Sequence, residues 1–249
     1  MLLDGDAIVV AGGTGRVGGA TLAALLREGA AHVAVLSRSE GGARDAIAAH
    51  VRAEDRDRTV ALAADLVDAE SAQAALFEAV RRFGRIDAVV SLAGGGSEFV
   101  PLVDASPEQL AVSVRNNLTV AANLMLPALR AMLAQPPRAG ARSRGRLVAV
   151  TAGSSLDPQP SFGVMGMGKA GVNVLMRAIA REHKADGIVA NAIVLGTVAT
   201  AAARSYLDAG EFAAAASPEE VADVLAFHAS DRSTGVNGEL VHLNARETD

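Results

Sequence analysis

AIVVAGGTGRVGGA, residues 7–20, decides how this chain is read. An apolar run, Ala7–Ala11, goes straight into Gly12, Gly15 and Gly18, spaced three apart, and the helix-forming segment ATLAALLRE follows. A strand that turns this tightly into a helix leaves backbone N–H groups exposed at the helix N-terminus, where they attract a pyrophosphate. Glycine permits the turn and the close approach where a Cβ would obstruct. Glycine turns also arise for structural reasons alone, but this one follows the first candidate strand, as a dinucleotide-binding fingerprint requires.

Outward from that turn, short apolar strands alternate with helical patterns. Candidate strands are 7–11, 32–37, 59–63, 86–92, 146–151, 189–194 and 239–243, mostly continuous Val/Ile/Leu/Ala runs. Such runs suit parallel strands covered on both faces. Ser106-Pro107-Glu108-Gln109 and Ser217-Pro218-Glu219-Glu220 each offer an N-cap serine, proline at N1 and Gln or Glu at N3, while Gly29 and Gly84 are placed to end helices. The alternation predicts an α/β fold: a single-domain Rossmann-type doubly wound parallel sheet of about seven strands over residues 1–249, with helices on both faces. The basic, glycine-bearing stretch 138–146 reads as a solvated loop.

Composition narrows the function. The chain has 249 residues, half of them hydrophobic, and a net charge of −5. That charge gives no general attraction to nucleic acid, and none is expected as a partner. Cysteine is absent, which removes disulfides, thiolate nucleophiles and thiolate metal sites. The five histidines (His32, His50, His183, His228, His242) form no ligand-spaced pair, so no metal is expected. There is no Gly-x-Ser-x-Gly elbow for a hydrolase. The start MLLDGDAIVV lacks the basic and apolar regions of a signal peptide, and no apolar run of membrane-spanning length is apparent. A cytoplasmic protein without a membrane partner is the expectation.

About 20 residues beyond the glycine turn, a dinucleotide site needs the group that reads the adenosine ribose. Here VAVLSRSE places Ser37 and Arg38 where an acid would bind a ribose 2′-OH. A hydroxyl beside a guanidinium suits a dianionic 2′-phosphate, and Arg16 offers a second cation. NADP(H) is therefore expected over NAD(H); the alternative is two surface arginines in an arginine-rich chain.

These and further segments give the chain its resemblance to the short-chain dehydrogenase/reductase family along almost its whole length. The glycine loop comes first, then Asp65 in AADLVD, which matches an aspartate that contacts adenine. SLAGG from Ser91 stands where the family has Asn-Asn-Ala-Gly, and VRNNLT aligns Asn117 with the family's catalytic asparagine. Lys169, in SFGVMGMGKAG, matches the lysine of Tyr-x-x-x-Lys, and NAIVLGTVAT resembles the segment that closes over the nicotinamide. The resemblance implies an NADP(H) site made of Gly12, Thr14, Gly15, Arg16, Val17, Gly18, Ser37, Arg38, Asp65, Leu66, Ala93, Gly94, Lys169, Gly196, Val198 and Thr200, with Asn117 and Lys169 as catalytic residues.

Two departures stand out. Met165 occupies the family's tyrosine position, four before Lys169, and Ala152 its serine position, thirteen before that. Both missing hydroxyls belong to one proton-transfer unit, which leaves Lys169 the role of ribose anchor. Tyr206, the only tyrosine, is a weak substitute in the segment 195–217, the substrate lid of relatives. Arg16 for glycine and Leu195 for proline also depart from the common pattern. The expectation is an oxidoreductase with non-standard or weak activity on an unknown small molecule. The alternative is a non-catalytic nucleotide-binding partner or sensor, paired with an active paralogue. A homodimer or homotetramer packed through the helices 107–134 and 162–185 is implied by the resemblance.

Overall fold

A computed structural model describes residues 1–96, 98–201, 203–205 and 207–243. Its strands are β1 (Ala7–Ala11), β2 (His32–Ser37), β3 (Thr59–Ala63), β4 (Ala88–Ser91), β5 (Gly145–Ala152), β6 (Ile188–Leu195) and β7 (Leu240–Leu243). They form one parallel sheet in the order β3-β2-β1-β4-β5-β6-β7. The first three match the sequence reading residue for residue. β4 is shorter than the expected 86–92 by two residues at its start and one at its end; just before it, the Asp87 carboxylate accepts from the Ala7 amide at 2.9 Å. β5 and β6 each extend one residue further at both ends than their apolar cores.

Helices α1 (Arg16–Arg27), α2 (Glu40–His50) and α8 (Pro218–His228) cover one face of the sheet; α3 (Ala69–Phe83), α5 (Val120–Ala134) and α6 (Gly163–Glu182) cover the other. Strand alternation sorts the core. Ile8 and Val10 pack with Leu22, Leu25 and Val221, while Val9 and Ala11 pack with Leu76, Leu124 and Met176. Both faces are buried, which is why these strands read as unbroken apolar runs.

The expected helix punctuation is present. Ser106 and Ser217 each form a capping box, opening α4 (Pro107–Val114) and α8. Each cap is worth about 1 kcal/mol. Asp208 caps the short α7 (Ala209–Ala214) in the same way. Gly84 ends α3 with φ of 78°. A π-helical turn, Arg115–Thr119, which the sequence pattern did not reveal, joins α4 to α5. The stretch Pro107–Ala134 is long and apolar enough to cross a membrane by length and composition, contrary to the sequence reading, with mean hydropathy 1.2 over its best window. Half of that window is buried inside the fold, as in a core helix.

Residues 138–144 form a loop with Gly140 and Arg142 exposed, as the composition suggested, but the stretch ends inside β5 with a buried arginine. Arg146 is 2 % exposed and bonds Asp6 at 2.8 Å and Asp231 at 2.9 Å. Arg138 reaches the other Asp6 oxygen at 2.6 Å, and Arg144 donates to the Leu133 and Gln135 carbonyls. Burial pushes the Asp6 carboxyl up, and Arg146 opposes it. This network ties the starts of β1 and β5 together at the end of the sheet away from the site.

Candidate active site

Strand order reverses between β1 and β4, since the chain leaves β1 toward β2 and β3 and later returns on its other side. Loops leaving adjacent strands in opposite directions open a crevice at the strands' C-terminal ends. There a cleft of about 550 Å³ is lined by Gly12, Thr14, Gly15, Ser37, Arg38, Asp65, Leu66, Ala93 and Gly94 from the sequence reading. Gly95, Gly96, Asn116 and Val120 line it too; the run of three glycines after β4 was their signal in the sequence.

The cleft floor depends on missing side chains. Gly12 has φ of 83°, and a Cβ there would sit 2.8 Å from the Ala93 nitrogen. A Cβ on Gly18 would strike the Gly12 carbonyl oxygen, so Gly18 serves the close packing of α1 on the loop. No side chain caps α1 and no acid lies in its first turn, so its amides remain for an anion. The cradle fits a nicotinamide dinucleotide: small where a pyrophosphate must approach, and positive at the helix end.

At the cleft's far end, Ser37 is half-buried and Arg38 exposed. Among the described residues, no ion pair or hydrogen bond engages the Arg38 guanidinium. One Asp65 oxygen accepts from the Val67 amide at 3.0 Å. Arg16 does not line this cleft. It borders a separate hollow with Arg27, His50 and Glu219. Val17 is half-buried against the α1–α8 core.

The near end holds Asn117 and Lys169. The π turn brings Asn117 to a fully buried position, where its amide donates to the Ser113 carbonyl at 2.9 Å and its oxygen accepts from the Gly95 amide at 3.0 Å. α6 lies close against its neighbours, because Gly168 gives room to Ser113 and Gly166 to the Ser154 carbonyl. That closeness buries Lys169 to 8 % exposure. Its ammonium donates to the Val150 carbonyl at 3.2 Å, and desolvation lowers its pKa from the usual 10.5 to about 8. A Cβ on Gly94 would lie 2.9 Å from both Lys169 Nζ and Asn117 Oδ1, so both groups sit directly behind Gly94, which lines the cleft, while neither is itself part of the lining.

Ala152 ends β5, and Met165 is half-buried one helical turn before Lys169. Ser155 donates to the Ala152 carbonyl at 2.6 Å and accepts from Asn173 at 2.8 Å. Gly196, Val198 and Thr200 follow β6 outside the lining of the cleft; Val198 bridges to Ala216. Tyr206 lies outside the described residues. Among the described residues, no group of three His, Cys, Asp or Glu side chains is placed to hold a metal ion.

Comparison with known proteins extends this geometry. The short chain dehydrogenase family profile matches residues 6–210. A 2,3-dihydroxy-2,3-dihydro-p-cumate dehydrogenase of Pseudomonas putida is 28 % identical, covering 99 % of this chain and 95 % of its own. A (5R,7aS)-5-hydroxy-7a-methyl-1-oxo-2,3,5,6,7,7a-hexahydro-1H-indene-carboxyl-CoA reductase of Mycobacterium tuberculosis is 31 % identical over 98 % of this chain and 94 % of its own. The fold is that of a short-chain type dehydrogenase/reductase from Mycobacterium ulcerans, with TM-score 0.87 at 21 % identity over all of this chain and 94 % of the other. A match of this extent makes the chain a member of the short chain dehydrogenase family, oxidoreductases that bind nicotinamide dinucleotides.

Proposed function

We propose that this chain is an NADP(H)-preferring oxidoreductase whose proton-transfer unit lacks the family's serine and tyrosine, with Ala152 and Met165 in their places. The observation that carries the cofactor preference is the end of β2: Ser37 and Arg38, whose guanidinium has no partner among the described residues, border the cleft where an acid would favour a bare ribose. When bound, the reduced cofactor supplies a hydride. The glycine loop and the first turn of α1 would hold its pyrophosphate, Asp65 would meet its adenine, and Lys169 would hold its nicotinamide ribose.

The apolar pair at 152 and 165 argues against ordinary alcohol–ketone interconversion at family rates. A positioned general acid contributes about 10²–10⁴-fold, whereas alignment of the reactants is retained without it. Acceptors that spread negative charge, such as conjugated alkenes or quinones, lose least. Titration of the purified protein with NADPH and NADH, followed by nicotinamide fluorescence, tests the reading. Saturable NADPH binding with much weaker NADH binding supports it, and no binding of either sinks it. The same pair of missing hydroxyls favours the second reading, a nucleotide-binding partner without turnover; NADPH oxidation with any small acceptor eliminates that one. Exposed Val114 on α4 and Met167 and Val174 on α6 support self-association through these helices, which light scattering measures.

A further inference from the structure

Lys169 is more isolated than a ribose anchor needs to be. It is one of only two lysines in the chain. An ammonium has three donors. Among the described residues Lys169 has one acceptor, the Val150 carbonyl, and no carboxylate. The charged groups on the elements packed against α6 are Glu108, Arg115, Arg130 and Arg146. The first three are exposed, and Arg146 is committed to Asp6 and Asp231. On α6 itself, Arg177, Arg181 and Glu182 lie two or more turns beyond Lys169.

Buried hydroxyls lie on the same side of the sheet as Lys169. Ser91 Oγ and Thr151 Oγ1 are buried with no partner among the described residues. Each lies two residues beyond a strand position, Val89 or Ala149, that packs on the α5–α6 side, so both hydroxyls face the layer that contains Lys169. Buried hydroxyls without partners mark room for water or for a polar group of a ligand. At positions 152 and 165 themselves the side chains offer no proton, and the neighbouring Ser155 hydroxyl is committed to the Ala152 carbonyl.

We infer that the Lys169 ammonium itself is the acid that protonates the substrate oxygen in this chain, in place of a phenol. A carbonyl acceptor takes a hydride on carbon from the reduced nicotinamide and one proton on oxygen from Nζ, giving the alcohol. The C=O π bond breaks, the C–H and O–H bonds form, and the neutral amine regains its proton from water entering the cleft. Burial with a single carbonyl partner among the described residues makes this ammonium a stronger acid than a surface lysine, and Gly94, which lines the cleft, puts no side chain between the cleft and Nζ. The proposal rests on the cofactor reading above.

The test begins with protein labelled at the lysine 13Cε, which gives two resonances, Lys169 and Lys184. Lys169→Arg identifies one by deleting it. One resonance should titrate near pH 8; two that both titrate as ordinary lysines overturn the proposal. Reduction of an activated ketone, ethyl benzoylformate, should then slow by about tenfold per pH unit above the value found by resonance. Lys169→Arg keeps the charge but cannot release a proton, and should lose about 10²-fold or more in turnover while still binding NADPH. Turnover that ignores the resonance value, survives in the arginine variant, or is missing from NADPH-binding wild type overturns the proposal. Failure of NADPH to bind removes the cofactor reading and this proposal with it, and the fluorescence titration distinguishes that case.

Discussion

Lys169→Met changes stability by an amount whose pH dependence follows from the structure. Burial lowers the Lys169 amine from 10.5 to about 8, with no anion among the described residues beside it to compensate. Between those values the unfolded chain holds a proton that the folded chain has released, so wild-type stability rises with pH across the window. Below it, the folded state carries the whole cost of a desolvated ammonium, about 3 kcal/mol. Above the unfolded value that cost is gone. The methionine variant has nothing to titrate there, and its packing differences are the same at every pH. Urea unfolding of both proteins near pH 7 and near pH 10, followed by circular dichroism because the chain lacks tryptophan, isolates the effect. The stability gap between variant and wild type should move in favour of wild type by about 2 kcal/mol over that range. A gap that stays constant would mean that the amine is paired or hydrated in solution, and the reasoning about its acidity would fall with it.

Three further outcomes are expected. Arg38→Ala should weaken NADPH binding about 10- to 100-fold, as loss of a charge-assisted contact predicts, and leave NADH binding nearly unchanged; equal losses for both dinucleotides would count against a 2′-phosphate at Arg38. The double substitution Ala152→Ser with Met165→Tyr should raise ketone reduction by about tenfold or more if the scaffold is otherwise competent. No gain with NADPH affinity intact would mean that the pocket has left carbonyl chemistry. Arg146→Ala leaves the Asp6 carboxylate buried with Asp87 beside it, and should cost about 3–5 kcal/mol in urea unfolding; a loss below about 1 kcal/mol would show that Arg138 alone satisfies Asp6.

What the sequence disclosed depended on the range of the interaction. β1 and β2 are legible because a strand buried on both faces needs an unbroken apolar run, and the half-buried edge strand β3 is legible because its run TVALA follows the charged stretch 54–58. The capping boxes are legible because all their partners lie within three residues. The cofactor half of the site is legible for the same reason: a glycine loop and a strand end are local patterns. The Asp87 contact just before β4 was not, since its partner Ala7 lies eighty residues away. Nor was the fate of Arg146, whose carboxylate partners lie 140 and 85 residues away. The π turn at Asn117 changes the helical phase without any residue that marks it.

Lys169 shows the limit most clearly. Its motif position was visible in the sequence, but its isolation was not, because isolation is a statement about every element around α6. Stability does not explain a lysine at this position. A methionine of similar reach would fill the buried position without desolvating a charge, and buried charges are kept only where they are paired or used. Pairing is not what the described residues provide, since one carbonyl at 3.2 Å is the only acceptor. The ammonium therefore has to be accounted for by what enters the cleft, first as a donor to the cofactor's ribose and then as a source of protons. Those two roles separate in one respect: arginine can fill the first and not the second.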